Sequence, residues 1–227
     1  MNNCIEDLYE RREINMEKII EIYNELFERY PSLEREKDNI MNSFEIIRDS
    51  YKNGGKLLVA GNGGSASDAE HIVGELMKGF VKPRKLDASL QEKLKKVNPD
   101  LGSQLADSMQ GGLPSIAIVD HVALSTAFLN DVNPQMGFAQ QVNGYGNEGD
   151  VFLGITTSGN SENIIYAAIM AKAKGLKVVG LTGRDGGKIK DYCDACIIVP
   201  ETETFKIQEL HLPVYHALCL MLEEEFF

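Results

Sequence analysis

The chain has 227 residues, 43% of them hydrophobic and 25% charged, a balance suited to one soluble α/β domain with additions. Its formal net charge of -11 argues against nucleic acid as the main partner, so an anionic substrate must be attracted locally by backbone N–H groups and a few cations. No basic-then-apolar signal segment opens the sequence and no apolar run reaches about 18 residues, so no membrane partner is expected and a cytoplasmic protein is the simplest reading.

Residues 5–29 and 32–53 are expected to be two helices, forming an N-terminal helical segment over residues 1–54. In the second, Leu33, Ile40, Met41, Phe44, Ile47 and Tyr51 recur at helical spacing. Tyr30-Pro31-Ser32 separates the two, with Ser32 the expected N-cap. Glu34 and Glu36 put negative charge where the helix dipole favours it, and Asn53-Gly54-Gly55 closes the helix. The apolar stripe reads as core; spacing alone does not say whether it packs on its own sheet or on another subunit.

Residues 55–80 read as strand, glycine-rich loop and helix. Leu57 to Ala60 is a short apolar run, as in a strand buried on both faces. Gly61, Gly63 and Gly64 allow a sharp turn and close approach of a ligand. Ser65, Ser67 or Asp68 can cap the following helix, whose free N–H groups favour an anion such as phosphate. His71 and Glu75 stand four residues apart on one face of that helix. Gly61 to Ala66 nominally fits the relaxed dinucleotide fingerprint. The acidic residue expected about 20 positions later is missing, and so is a Walker Gly-Lys-Ser/Thr, so no nucleotide cofactor is expected.

Lys78, Lys82, Arg84 and Lys85 form a small basic cluster, either a solvated turn or a source of one or two charges facing an anionic ligand. Residues 86–111 read as an insertion with short helices at Ser89–Lys96 and Leu101–Met109. A surface excursion is the preferred reading, with a lid over the site as the sharper one. A strand over Ser115–Val119 carries Asp120 and His121 at its C-terminal end, and a helix over Ala123–Leu129 leads to Asn130-Asp131.

Asp150–Ile155 is another buried strand, followed by Thr156-Thr157-Ser158-Gly159-Asn160-Ser161 and a helix from Glu162 to Lys174. Hydroxyls and a glycine before a helix start form a second anion cradle. Strands at Lys177–Leu181 and Cys196–Val199 complete about five parallel strands with helices on both faces. Of Cys4, Cys193, Cys196 and Cys219, the pair Cys193-Asp-Ala-Cys196 lacks the second pair expected of zinc and reads as two partly buried thiols. The last helix runs from near Lys206 toward Glu224 and carries Gln208, His211, Pro213 and His216.

Four ordered stretches carry a family resemblance. They are Gly61-Asn-Gly-Gly-Ser-Ala-Ser-Asp-Ala-Glu-His71 with Gly74-Glu-Leu76, Asn130-Asp131, Gly154-Ile-Thr-Thr-Ser-Gly-Asn-Ser161, and Ile207-Gln-Glu-Leu-His-Leu-Pro-Val-Tyr-His216. Together they resemble the sugar isomerase (SIS) domain, and more narrowly the phosphoheptose isomerases, over roughly residues 30–225 apart from the insertion. The resemblance implies a flavodoxin-like doubly wound sheet over residues 55–227 and an aldose–ketose isomerase acting on sedoheptulose 7-phosphate. The alternatives are an isomerase of another sugar phosphate, or a non-catalytic SIS module that binds a sugar phosphate or a protein.

The resemblance implies that Thr156, Thr157, Ser158 and Ser161 hold the phosphate, and that Asn62, Gly63, Gly64, Ser65, Asn130, Asp131 and Gln208 hold the sugar. Glu75 is then the base that moves a proton between C1 and C2, and His216 its acid/base partner. It also implies that His71, Glu75, Gln208 and His216 form a zinc set, and that the N-terminal helices build a homotetramer.

Overall fold

A computed structural model describes residues 2–227, with side chains from Asn15 onward. The Cys4 side chain lies outside the described residues. Five parallel strands form one sheet: β1 (Leu57–Ala60), β2 (Ser115–Ala117), β3 (Val151–Thr156), β4 (Lys177–Thr182) and β5 (Ala195–Ile198), in the order β2-β1-β3-β4-β5. Every residue of β1 and β3 is buried, which is why both read as unbroken apolar runs. The order reverses between β1 and β3, the flavodoxin-like arrangement whose ligands bind at that switch point.

Alternate strand residues feed two cores. On one face Leu57, Val59, Leu153, Ile155, Val179 and Leu181 meet helices α1 (Asn2–Arg29), α2 (Lys37–Lys52), α3 (Gly64–Met77) and α9 (Thr204–Phe226). On the other, Leu58, Ala60, Phe152 and Val178 meet α7 (Gly137–Tyr145) and α8 (Glu162–Ala173). Ala167, Ala168 and Ala171 let α8 approach the sheet closely. The stripe of α2 is buried on the chain's own sheet, and residues 15–54 share its core, whereas α1 leaves Met16 and Ile20 exposed.

Ser32 does not cap α2. A 3-10 turn over Pro31–Glu36 comes first, and Glu36 occupies the cap position without a side-chain cap bond. The Glu36 carboxylate is drawn instead to the Ile198 N–H at 2.9 Å and the Asn39 amide at 3.0 Å, tying the turn to the end of β5.

The insertion is a helical hairpin of α4 (Ala88–Val97) and α5 (Pro99–Ser108), capped by Asp87 and Asn98. It leaves after α3 and returns to β2, so it emerges at the N-terminal edge of the strands. The glycine and hydroxyl loops leave the opposite edge, so within one chain the hairpin is a surface excursion and no lid over those loops. Among the described residues no helix is long and apolar enough to cross a membrane.

Candidate active site

The two loops expected to cradle an anion follow neighbouring strands, β1 and β3. After β1 the chain turns at Gly63, whose φ of 56° is the left-handed conformation glycine adopts freely. A Cβ at Gly64 would strike the Gln208 amide, so Gln208 lies against the start of α3. No side chain caps α3, contrary to the expectation for Ser65, Ser67 or Asp68. Asp68 is taken up elsewhere, as described below.

After β3, the Thr156 and Ser161 hydroxyls bond at 2.8 Å across the second cradle. Thr157 and Ser158 are half-buried between them, and the Ser158 Oγ accepts from the Asn160 N–H at 3.1 Å. Gly159 (φ 67°) packs so tightly on the Gly186 carbonyl that a Cβ would clash. Asn62 joins the cradles. Its amide exchanges two hydrogen bonds with the Asn163 amide, at 2.9 and 2.8 Å, linking the glycine loop to the first turn of α8. Asn163 carries no motif of its own and was not singled out from sequence.

Asn130 and Asp131 fall within the last turn of α6 (Val122–Asp131) rather than beyond it. Both are exposed, and Asn130 donates to Asp131 at 2.7 Å; among the described residues no hydrogen bond ties them to the cradles. Upstream, His121 sits at the N-cap of α6, accepting from the Leu124 N–H at 3.3 Å.

The second group of candidates lies between α3 and α9. His71 Nε2 is 3.3 Å from Glu75 Oε1, and Lys78 Nζ is 3.3 Å from Glu75 Oε2. The His216 ring stacks edge-on against His71 at 5.1 Å and lies 5.4 Å from the Phe80 ring. Its Nε2 is buried with no hydrogen-bond partner. Burial, and next the nearby His71, hold the His216 imidazole below its ordinary pKa. On its other side His216 lines a cavity of about 180 Å³ with Arg29, Tyr30 and Pro213. His71 and Glu75 follow Gly64 by two and three turns, about 10 and 16 Å of helix rise. Helical side chains lean toward the N-terminus and shorten that span.

Tyr215 and Asp68, neither placed in this group by the sequence, complete it. Tyr215 Oη is 3.0 Å from His71 Nδ1, and donates to Asp68 Oδ1 at 3.4 Å. Asp68 Oδ2 is buried without a partner, and burial raises both the Asp68 carboxyl and the Tyr215 phenol above their ordinary pKa values.

Within the basic cluster Lys78, Lys82 and Arg84 are paired with carboxylates, and Lys85 is exposed. Arg84 is fully buried: its Nε donates to Glu223 Oε1 at 2.8 Å, and its Nη atoms to the Leu76 and Glu75 carbonyls at 2.7 and 3.0 Å. Lys82 pairs with Glu224 at 2.6 Å. His211 is buried against the Thr182 carbonyl at 3.1 Å, and burial holds its pKa down to about 4. Cys193 and Cys196 are half-buried free thiols flanking Gly180. Among the described residues no three His, Cys, Asp or Glu side chains already converge as metal ligands.

A profile of the SIS domain matches residues 21–99 and 93–183. The chain is 40% identical to a phosphoheptose isomerase of Nitratiruptor sp. over 181 residues, 80% of this chain and 83% of that one. It is 43% identical to the phosphoheptose isomerase of Aneurinibacillus thermoaerophilus over 177 residues, 78% and 76% of the two chains. The solved phosphoheptose isomerase of Neisseria gonorrhoeae superposes with a TM-score of 0.67 at 30% identity, covering 95% of this chain and 98% of that one. With its flavodoxin-like sheet and two loop cradles at the β1/β3 switch point, the chain belongs to the SIS-domain family, among the phosphoheptose isomerases.

Proposed function

We infer that this chain is an aldose–ketose isomerase that converts sedoheptulose 7-phosphate to D-glycero-D-manno-heptose 7-phosphate through an enediol. One observation supports the reading beyond the relatives' names: the hydroxyl loop after β3 is tied through the Asn62–Asn163 pair to the glycine loop that opens α3, and His71 and Glu75 stand farther along that same helix, beside His216. A seven-carbon sugar has its phosphate at C7 and its reacting carbons at C1 and C2, so it can engage both ends. Thr156, Thr157, Ser158 and Ser161, with the start of α8, hold the phosphate. Asn62, Gly63, Gly64, Ser65 and Gln208 line the sugar's path at the start of α3, with Asn130 and Asp131 contributing hydroxyl contacts from α6. Glu75 takes the proton from one carbon and returns it to the next, and His216 exchanges protons with the sugar oxygens.

The test is incubation with sedoheptulose 7-phosphate in heavy water. Deuterium at C1 or C2 together with an aldose product is expected. Binding with neither outcome would reject this substrate. If other ketose phosphates also failed, a non-catalytic sugar-phosphate module would be the better reading.

Zinc is part of the proposal. The orphaned His216 Nε2 and the close His71–Glu75 pair suit a cation with nitrogen and oxygen ligands, and His71, Glu75, Gln208 and His216 would hold it. Its chemistry there would be polarisation of the sugar oxygens. His71→Ala is expected to lower zinc binding and activity together, and full activity of chelator-treated, zinc-free protein would show the metal to be dispensable. A homotetramer is also proposed, supported by the exposed Met16 and Ile20 on α1. A monomeric mass by light scattering at micromolar concentration would refute it.

A further inference from the structure

Two half-buried thiols lie behind the hydroxyl loop, and no step of the isomerisation uses them. Cys196 pairs with Gly180 of β4 in the sheet register, and the Asp194 N–H donates to the Val178 carbonyl at 2.7 Å, which folds Cys193 back over the same strand. Both sulfurs converge on the space that Gly180 leaves open. A Cβ there would lie 2.8 Å from the Cys193 Sγ and 3.1 Å from the Cys196 Sγ. Cys219 is buried in the core on the other face of the sheet, out of their reach. Cys193 is also wired to the hydroxyl loop. Its Sγ donates to the Ile189 carbonyl at 3.3 Å across a 3-10 turn (Ile189–Tyr192), and the Ile189 N–H donates to the Gly159 carbonyl at 3.0 Å. The Lys188 N–H reaches the Asn160 side-chain oxygen at 3.2 Å, and a Cβ at Gly187 would strike the Ser158 carbonyl. The loop over Thr156–Ser161 is thus backed by a turn whose far end is held by a thiol.

We propose that Cys193 and Cys196 form an oxidative modification site, a dithiol that a peroxide closes to a disulfide, and that closure loosens the Thr156–Ser161 loop. Its effect on substrate rests on the reading of that loop as the phosphate cradle. The step balances with hydrogen peroxide as the oxidant. One sulfur, as thiolate, attacks a peroxide oxygen; the O–O bond breaks, leaving a sulfenic acid and a hydroxide that takes up the displaced proton as water. The second sulfur gives up its proton and attacks the first; the S–O bond breaks and a second water leaves. The two thiols lose two electrons, and the peroxide gains them. The disulfide has no S–H for the Ile189 carbonyl, and it ties Cys193 to β5 instead of to the turn. The turn behind Gly159 then loses the bond that holds its far end. Reduction by an external dithiol restores both thiols by exchange.

The test uses the full-length protein, reduced or treated with hydrogen peroxide. Alkylation and peptide mapping by mass spectrometry should find Cys193 linked to Cys196 after treatment, and both alkylated after dithiothreitol. Amide hydrogen exchange reads the wiring: the Ile189 N–H should exchange faster in the oxidised protein. The KM for sedoheptulose 7-phosphate should rise about 2–10-fold on oxidation, the range for losing one hydrogen bond, and fall back with dithiothreitol. With binding alone affected, kcat should barely change. Cys196→Ser keeps the Cys193 bond to Ile189, so it should match the reduced wild type and ignore peroxide. Absence of the linked peptide would overturn the proposal. So would a linked peptide that leaves Ile189 exchange unchanged, or leaves the KM of an active wild type unchanged, and so would a Cys196→Ser protein that responds to peroxide as the wild type does. A wild type that turns over no sugar phosphate, yet exchanges Ile189 faster once the disulfide forms, would instead remove the cradle reading and leave the dithiol coupling standing.

Discussion

Glu75→Gln is expected to bind sedoheptulose 7-phosphate as the wild type does and to lose about 10²–10⁴-fold in isomerisation, the usual contribution of a general base. The amide keeps the shape of the side chain and its place between His71 and Lys78, at 3.3 Å from each. It cannot accept a proton from carbon. The fold should be unaffected, because Lys78 is largely exposed and is left with water rather than as a stranded buried charge. The measurement is solvent deuterium incorporation at C1 and C2, paired with a direct binding titration. A variant that exchanges and isomerises at the wild-type rate would remove Glu75 from the base role while leaving the family assignment untouched.

Glu223→Ala is expected to destabilise the fold by about 3–5 kcal/mol, the range for stranding one partner of a buried ion pair. Glu223 is 1% exposed, and its carboxylate accepts from Arg84 at 2.8 Å and from the backbone N–H groups of Phe80, Val81 and Lys82 at 2.8, 2.9 and 3.1 Å. Removing it leaves a fully buried guanidinium and three backbone donors without their acceptor. Burial alone would raise the Glu223 carboxyl, but the Val81 and Phe80 N–H groups and Arg84 outweigh it and hold the pKa below the ordinary value. A folded-state pKa depressed in this way contributes stability above the ordinary glutamate range, and that contribution disappears as pH falls through the folded value. Urea melts at neutral and acidic pH check both claims. The loss in Glu223→Ala should be large at neutral pH and should shrink as the wild type is acidified. Equal stability of the two proteins at neutral pH would contradict the pairing.

Strands and cradles were legible in the sequence because each has a local cause. Leu57–Ala60 and Val151–Ile155 are apolar runs because both faces of the sheet are covered, and Gly63 and Gly159 are glycines because their φ angles are positive. The helix spacing of His71 and Glu75 carried over directly into contact. What was not legible depends on partners distant in sequence. Arg84 read as a surface cation because its counter-ion lies 139 residues later. Asp68 read as a possible helix cap, whereas Tyr215, which draws it away, lies 147 residues on, and no local pattern pairs the two. Ser32 failed as a cap because it lies inside a 3-10 turn over Pro31–Glu36, whose last residue is held by the end of β5, 162 residues away. The direction of the insertion was hidden for a related reason: its edge of the sheet follows from strand order, which no local pattern states.

The clasp of Arg84 and Glu223 also bears on how the molecule assembles. Arg84 closes the last turn of α3 by binding the Glu75 and Leu76 carbonyls, and it is neutralised only by α9. Contacts between such distant stretches carry a loop-closure entropy cost and slow the folding search. The turn that presents Glu75 is therefore completed by a contact reaching to α9 rather than by a local cap. In kinetic terms the native setting of the Glu75 backbone depends on a closure between segments 139 residues apart, Arg84 and Glu223.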